Sequence, residues 1–146
     1  MAKASGPRAE AYRDAAAERS QDAVELFLAG RCGAAIWVAG VALECLFRAY
    51  HRRRSEQLDT GHDLKSLYKA SRFADRVSPR HVERMGSSIG LVAASWKNRY
   101  RYDPEDAVRR SIGIRNATEF QRRAREVVNA VQEIVNHGVK RWPSDH

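Results

Sequence analysis

The sequence predicts an all-α protein, folded as a single-domain up-and-down bundle of about five helices. Apolar residues recur every three or four positions in several long segments, which is the spacing of one buried helix face. No segment of useful length alternates apolar and polar residues, as a half-buried strand would. The 146 residues suffice for one domain with its own core. We expect this domain at residues 8–138, between a disordered N-terminus at 1–7 and a C-terminal tail at 139–146.

Capping residues and breaks in the apolar pattern give the expected bounds of the helices. Gly30 and Gly138 are placed to end the first and last helices. Residues 51–62 are expected to form either a basic, mobile loop or a solvated helix end followed by a linker. An aromatic and basic turn, followed by a loop or short helical segment, fills residues 97–113. In chain order, we expect helices at residues 8–29, at 32–50, from the N-cap Asp63, from Ser78 and Pro79 to Trp96, and at 116–137.

The segment at residues 31–50 is apolar on two faces of a helix, so both faces need cover. Glu44 lies in its middle, and Arg48 follows one turn later, within reach of an ion pair. Because a carboxylate on such a surface is costly unless it is paired, we expect a cationic partner for Glu44. The candidates are Arg19, Arg48, Arg99 and Arg101. The segment is either a core helix with a structural ion pair or the wall of a functional site.

The chain is strongly basic, with a formal net charge of +8 and an isoelectric point near 10. Most of the basic residues are arginines, whose guanidinium groups bind phosphate and stack on bases. A nucleic-acid partner is one explanation of this charge. An arginine- and alanine-rich composition that reflects a GC-rich genome is the other, and the sequence leaves both open.

Several classes of protein are disfavoured by simple features of the sequence. The N-terminus lacks the apolar stretch of a signal peptide, and Glu44 and Arg48 interrupt the one run that approaches the length of a membrane span. Cys32 and Cys45 are too few for a disulfide scaffold, and no cysteine or histidine spacing indicates zinc. We therefore expect a cytoplasmic protein without a metal or cofactor.

Two polar clusters lie on or near the second and third predicted helices. Glu44 and Arg48 form the first, whose plain explanation is a structural ion pair between helices or protomers. The second is the sequence Gly-His-Asp-Leu at residues 61–64, in which His62 can titrate near neutral pH. Its plain explanation is that Asp63 caps a helix beside an exposed histidine.

Two further clusters are basic. Residues 99–102 read Arg-Tyr-Arg-Tyr and are called the RY turn below; such a pattern can bind phosphates while stacking on bases. Alternatively, a tyrosine closes the core and the arginines face water. Arg52, Arg53 and Arg54 form a patch that can guide RNA without reading its sequence, or a solvated helix end.

Taken in order, these motifs resemble the HEPN domain (higher eukaryotes and prokaryotes nucleotide-binding). They are AGRCGAAIWVAGVALECLFRAY, GHDL and W-x-x-RYRY, and the resemblance covers roughly residues 10 to 138. The resemblance implies a small HEPN-like α-helical bundle that commonly dimerises. Many such domains act as RNases or as toxin partners of small nucleotidyltransferases, and others are non-catalytic.

The RNase members of this family carry Arg-x4-6-His near the start of the last long helix. Here that place begins with Arg115 and Asn116, but Phe120 stands where the histidine belongs. A phenyl ring cannot transfer a proton, so acid–base cleavage of RNA at this position is unsupported.

The same spacing occurs twice elsewhere, at the frequency that chance predicts for this composition. Arg76 precedes His81 across a proline, and Arg141 precedes His146 in the tail. We discount both pairs, although His81 and Arg76 stay, with His62, as candidate catalytic residues. The sequence thus leaves open whether the chain is an enzyme.

Three functional hypotheses follow. The first is a homodimeric HEPN protein that binds RNA or a nucleotide, as a component of a toxin–antitoxin or defence-like system with a nucleotidyltransferase partner. The second is a non-catalytic interaction domain whose Trp37 and Val41 face docks a partner chain, and the third is an RNase with noncanonical catalytic residues. The residues that we expect to bind RNA or a nucleotide are Glu44, Arg48, His62, Asp63, Arg99, Tyr100, Arg101 and Tyr102.

Overall fold

The computed structural model describes residues 7–55 and 61–143, in which all regular secondary structure is helical, and so confirms the all-α prediction. These ranges hold six α-helices instead of about five, because the segment after Pro104 forms a short helix of its own. The α-helices are α1 (Ala9–Leu28), α2 (Cys32–Arg54), α3 (Leu64–Ser71), α4 (Pro79–Ser95), α5 (Glu105–Ile112) and α6 (Ala117–Lys140), and two 3-10 helices span Phe73–Arg76 and Asn98–Tyr102.

The central helix of the bundle is α2, and it runs parallel to α6. At the N-terminal ends of the two helices, Cys32 and Phe120 line the same pocket. At their C-terminal ends, the Tyr50 hydroxyl donates a 2.5 Å hydrogen bond to the Gly138 carbonyl oxygen. The two helices therefore lie side by side over most of their length.

The other two long helices, α1 and α4, run in the opposite direction. The Arg125 guanidinium lies 5.6 Å from the ring centroid of Phe27, at the end of α1. Arg123 Nη1 donates a 3.0 Å hydrogen bond to Ser95 Oγ, at the end of α4. Because both contacts come from the first half of α6, α1 and α4 end where α6 begins, as in an antiparallel bundle.

The side chains of α2 supply much of the core, as its two apolar faces predict. Ile36, Leu43, Leu46 and Phe47 are fully buried. By length and composition alone, α2 could cross a membrane, but 67% of its most apolar stretch is buried inside the bundle. A core helix of this kind passes the same test, so the finding is weak evidence for a membrane span.

Two of the predicted caps are confirmed, and a third cap lies at Asn116, where the sequence placed only the start of the last helix. Gly30 has φ +80° and ends α1, with the Arg31 amide donating back to the Leu26 carbonyl at 3.0 Å. Asp63 caps α3 by accepting from the Lys65 amide at 3.3 Å. Asn116 Oδ1 accepts from the Glu119 amide at 2.9 Å at the start of α6.

Ser78 precedes α4 as predicted, but it makes no side-chain capping bond. Its hydroxyl lies 2.9 Å from His81 Nδ1 instead. The start of α4 is therefore fixed by Pro79, whose ring suits the first helical position.

Gly138 does not end the last helix, which continues to Lys140. The residue is a glycine because of packing: a Cβ at this position would lie 2.7 Å from Leu46 Cδ1 and 3.2 Å from Phe73 Cε1. A glycine can either permit close packing of two helices or end a helix, and the sequence alone does not show which of these roles Gly138 has.

Of the two interpretations of residues 51–62, the loop is wrong for residues 51–54 and the helix end is confirmed there, because these residues continue α2 to Arg54. His51 Nδ1 and Arg54 Nη1 lie 3.1 and 2.8 Å from the Ala70 carbonyl oxygen, so this last turn is held against the end of α3. The predicted mobility of residues 56–60, the predicted disorder of residues 1–6 and the last three residues of the tail lie outside the described residues.

The beginning of the C-terminal tail packs against the bundle. The Trp142 ring meets the Tyr50 ring edge to face at 5.1 Å, and the guanidinium groups of Arg13 and Arg53 lie 5.3 and 5.2 Å from it. Trp142 thus joins α1 to the C-terminal end of α2.

One close approach fixes how α4 ends against α2. A Cβ at Gly40 would overlap the indole ring of Trp96, which therefore lies directly on the α2 backbone. Trp96 Nε1 donates to the Trp37 carbonyl oxygen at 3.0 Å, and Trp37 Nε1 donates to the Asn98 carbonyl oxygen at 3.1 Å. The end of α4 and the start of the RY turn are thereby held on α2.

We predict that Gly40→Ala lowers the free energy of unfolding by about 3 kcal/mol, because the added methyl group must displace a buried, hydrogen-bonded indole ring. Gly86→Ala is the matched control, since nothing lies within 4 Å of its Cβ position in the middle of α4. That control should raise the free energy of unfolding by about 0.5–1 kcal/mol. Urea denaturation measures both, and equal midpoints for the two variants would contradict the packing described.

Candidate functional site

A cluster of three charged or titratable side chains joins α2 to the segment before α3. Glu44 Oε2 lies 2.5 Å from His62 Nδ1 and 3.4 Å from Arg48 Nη2. Arg48 Nη2 also donates a 2.8 Å hydrogen bond to the Gly61 carbonyl oxygen. Glu44 is only 8% exposed, whereas 49% of the His62 side chain is exposed. The cluster therefore connects a buried carboxylate to an accessible imidazole.

Of the four arginines expected as partners of Glu44, Arg48 makes the contact. Arg19 Nη1 pairs with Asp22 on its own helix at 2.9 Å, so it does not serve as the partner. His62 is the partner that the sequence analysis missed, although it named this residue as a site candidate. Eighteen positions separate the two residues, and helical periodicity carries no information on how the intervening chain returns to α2.

His62 lines a pocket of about 230 Å³ between the start of α3 and the end of α4. Its Nδ1 faces Glu44, and in the described parts of the chain no residue bonds its Nε2, which is the nitrogen left for a ligand. The remaining lining residues are Asp63, Leu64, Ala93, Trp96, Lys97 and Asn98. The structure thus brings the predicted His-Asp-Leu motif to the start of the aromatic and basic turn.

The RY turn lies in the 3-10 helix Asn98–Tyr102, and its inner side is anchored. Tyr100 is buried, and its hydroxyl donates to Ser111 Oγ at 3.0 Å. Arg99 Nη2 and Lys97 Nζ donate to the same Ser111 Oγ at 3.3 and 3.5 Å. Two cations therefore converge on a neutral group on α5.

The outer side of the RY turn is cationic and aromatic. The Arg99 side chain is 65% exposed, and its Nε lies 3.9 Å from Asp103 Oδ2. The Arg101 guanidinium lies 4.5 Å from the ring centroid of Tyr102, which is 74% exposed. The structure thus confirms the alternative in which a tyrosine closes the core and the arginines face water, and it leaves the binding of phosphates and bases a prediction.

The remaining predicted catalytic candidates do not join this site. His81 lines a separate pocket with His137 and Arg84, between α4 and α6. Arg76 lines another pocket beside Arg54, at the end of α2. The Arg76 and His81 spacing therefore brings no pair together, and His146, the other chance match, lies outside the described residues.

The place where the RNase motif of HEPN domains would lie is at the start of α6. Arg115 is exposed there and Phe120 is 7% exposed, in a pocket with Asn116. Glu105 lines the same pocket and accepts from the Gly33 and Ala34 amides at 2.7 and 2.9 Å. A carboxylate of the chain itself thus occupies the N-terminus of α2, where an anion would otherwise bind.

Charge and burial act on the two cysteines. Burial raises the pKa of Cys45 to about 11, the negative charge of Glu44 adds to the rise, and Arg48 and Arg19 oppose it. Burial and the charge of Glu105 raise the pKa of Cys32. Both thiols are therefore protonated near neutral pH. Within residues 7–55 and 61–143, no group of three His, Cys, Asp or Glu side chains could hold a metal ion.

Comparisons with models of protein families, with curated proteins and with solved structures return no match. The resemblance to HEPN domains therefore depends on the motifs of this sequence alone.

We predict that alkylation of Cys45 by iodoacetamide, followed by mass spectrometry in a Cys32→Ala background, rises about tenfold per pH unit between pH 7 and 10, because only the thiolate reacts. At pH 8 about one thiol in a thousand is ionised if the pKa is about 11. Glu44→Gln should move the profile to lower pH, since it removes a charge that opposes ionisation, whereas Glu18→Gln on α1 should not. A wild-type midpoint at the ordinary value of 9.0 would contradict this environment.

Proposed function

We propose that this chain is a HEPN-domain protein that binds single-stranded RNA through the RY turn and the adjoining pocket at His62. The observation that carries the proposal is the two-sided construction of the RY turn. Its inner side is fixed by buried Tyr100, and its outer side presents Arg99, Arg101 and exposed Tyr102 to solvent.

The chemistry of this surface matches that of single-stranded nucleic acid. Guanidinium groups neutralise phosphates, and an exposed aromatic ring offers a stacking platform for a base. The Arg101 guanidinium already stacks on the Tyr102 ring. A base that takes its place on the ring would leave the charge of Arg101 available to the neighbouring phosphate. The net charge of +8 favours the approach of any polyanion.

The pocket at His62 offers a place for an unstacked base or a ribose. Leu64, Ala93 and Trp96 supply apolar walls, and His62 and Lys97 supply polar groups. Sites for small ligands combine these features, and a base can enter such a pocket only from an unpaired strand. This favours single-stranded RNA over a duplex.

We further propose a homodimer that acts in a toxin–antitoxin or defence-like system with a nucleotidyltransferase partner, as the resemblance suggests. A groove of about 540 Å³ between α1 and α2 supports a protein contact. Leu26, Trp37, Val38 and Val41 form its apolar floor. These residues include the face that the interaction hypothesis names.

The RNA proposal predicts that Arg99→Ala with Arg101→Ala weakens binding of a labelled 12-nucleotide RNA by about tenfold or more at 0.1 M salt. Fluorescence anisotropy measures the affinity across salt concentrations. The slope of log K against log salt should become shallower by about 1.4, because each lost phosphate contact on a single strand accounts for about 0.7.

The matched control is Arg84→Ala with Arg122→Ala, which removes the same charge from exposed ion pairs with Glu133 and Glu126. Binding that weakens equally in the two double variants would show a response to net charge alone. That result would refute the assignment to the RY turn.

A second candidate function is metal-independent cleavage of RNA, and the contact between Glu44 and His62 favours it. A carboxylate that accepts a hydrogen bond from Nδ1 orients the imidazole and fixes its tautomer, which leaves the lone pair of Nε2 to act as a base. Nε2 would take the proton of a ribose 2′-hydroxyl as its oxygen attacks the adjacent phosphorus. The 5′-oxygen of the next nucleotide then leaves and takes a proton from solvent, while Lys97 in the same pocket faces the developing charge.

This second function predicts that the wild type yields 2′,3′-cyclic phosphate ends in the presence of EDTA. His62→Ala should slow cleavage by at least about a hundredfold, the usual range for a general base, and His81→Ala, in a separate pocket, should not. Denaturing gels of end-labelled RNA measure both rates. Intact RNA after incubation with the wild type would contradict this second function and leave the Glu44–His62 contact with a structural role only.

A further inference from the structure

A second basic pocket, of about 320 Å³, lies at the C-terminal ends of α2 and α3. Four arginines line it, and Asp75 is the acidic residue among its lining side chains. The arginines are Arg53, Arg54, Arg72 and Arg76. This arginine pocket, as we call it, takes in part of the patch at Arg52–Arg54 that the RNA surface at the RY turn does not use.

The positive charge of the arginine pocket is compensated only in part. Arg72 Nε pairs with Asp75 Oδ2 at 3.0 Å. Arg54 Nη1 donates to the Ala70 carbonyl oxygen at 2.8 Å, which is a neutral group. In the described part of the chain, no carboxylate lies within ion-pair distance of Arg54 or Arg76. Two exposed guanidinium groups therefore face the pocket without a counter-charge.

Helix capping explains only some of these arginines. Basic residues in the last turn of α2 interact favourably with its dipole, which accounts for Arg53 and Arg54. Arg72, however, ends α3 with φ +54°, a left-handed conformation in which glycine or asparagine is usual. Arg76 lies beyond that turn, in the 3-10 helix Phe73–Arg76, and caps no α-helix. Neither Arg72 nor Arg76 is required by the helix ends themselves.

The buried Tyr50 forms the apolar back of the arginine pocket. Burial raises its pKa to about 12, although the charges of Arg76 and Arg53 oppose this rise. Its hydroxyl is engaged with the Gly138 carbonyl oxygen, so the phenol remains neutral and does not compensate the arginines.

We infer that the arginine pocket binds a phosphate group, and that this phosphate belongs to the RNA strand that the RY turn contacts. The first part stands on the arginines alone, since guanidinium groups bind phosphate through paired hydrogen bonds. The second part rests on the proposed function.

The position of α3 supports the binding of one RNA strand at both the pocket at His62 and the arginine pocket. His62 and Asp63 precede its first residue, and Arg72 follows its last. The eight residues of α3 span about 12 Å, so the pocket at His62 and the arginine pocket lie at the two ends of one short helix. An oligonucleotide of modest length can reach both.

The phosphate site is tested without RNA by titrating inorganic phosphate while recording ¹H–¹⁵N spectra of the arginine Nε groups. We expect saturable shifts of Arg54 and Arg76, and none of Arg122 on α6. Sodium chloride at equal ionic strength should leave Arg54 and Arg76 unchanged. Shifts that chloride reproduces, or that do not saturate, would show general screening and overturn the phosphate site.

The RNA strand is tested by anisotropy with Arg54→Gln and Arg76→Gln combined. We expect about fivefold to tenfold weaker binding of a 12-nucleotide RNA and a salt slope that is shallower by about 0.7, the loss of one phosphate contact. Arg84→Gln with Arg122→Gln loses the same charge and should bind within about twofold of the wild type. Because Arg54 also holds Ala70, Arg54→Lys with Arg76→Lys serves if the first variant unfolds; it keeps the charge, loses the paired geometry and should weaken binding less.

The outcomes separate the two proposals. If the Gln and Lys double variants at Arg54 and Arg76 bind RNA as tightly as the wild type does, the inference is refuted and the proposed function still stands. Saturable binding of phosphate without any binding of RNA would refute the proposed function and the choice of an RNA strand. The arginine pocket would then be a site for a small phosphorylated ligand, which a mononucleotide titration would reveal.

Discussion

The contact between Trp96 and Gly40 is the constraint on which the site depends. Because residue 40 has no side chain, the indole ring reaches the α2 backbone and donates to the Trp37 carbonyl oxygen. Trp37 in turn holds the Asn98 carbonyl oxygen, where the RY turn begins. Two successive hydrogen bonds and one close approach thus fix the end of α4, the wall of the His62 pocket and the direction of the RY turn. A larger residue at position 40 would displace all three together.

Glu44 shows how a structural requirement can also shape the candidate site. A carboxylate within a core helix needs positive or hydrogen-bonding partners, and Glu44 finds Arg48 on its own helix and His62 from the segment before α3. The contact with His62 orients the imidazole at the edge of the pocket. Together with the hydrogen bond from Arg48 to the Gly61 carbonyl oxygen, it holds the segment before α3 on α2. The core helix and the wall of the site, which are alternatives at the level of sequence, are therefore the same surface in the fold.

Sequence rules predicted the features that neighbouring residues decide, such as helix ends, but few of the contacts between elements that are distant in the chain. The cap at Asp63 and the helix end at Gly30 depend on a few neighbouring residues, so they could be read from the sequence. Gly138 was misread because its role is set by a packing partner on another helix, and the pairing of His62 with Glu44 was missed for the same reason. The sequence revealed the basic clusters at the RY turn and at Arg52–Arg54, but not that Arg72 and Arg76 join Arg53 and Arg54 in one pocket. That grouping follows from how α3 turns back across the end of α2.

The start of α6 gives a physical reason for seeking RNA contacts elsewhere. Both carboxylate oxygens of Glu105 accept α2 amides there, and the neighbouring Asp106 holds Arg109 at 2.6 Å. Arg109 is further bound to the carbonyl oxygens of Ile114 and Arg115, so its charge is already engaged by the chain. A phosphate approaching this end meets two carboxylates and two arginines, Arg115 and the already bound Arg109, whereas at the RY turn and the arginine pocket it meets guanidinium groups in excess of carboxylates. Electrostatics therefore favours a polyanion at the two ends of α3 over the place where the family's RNase motif would lie.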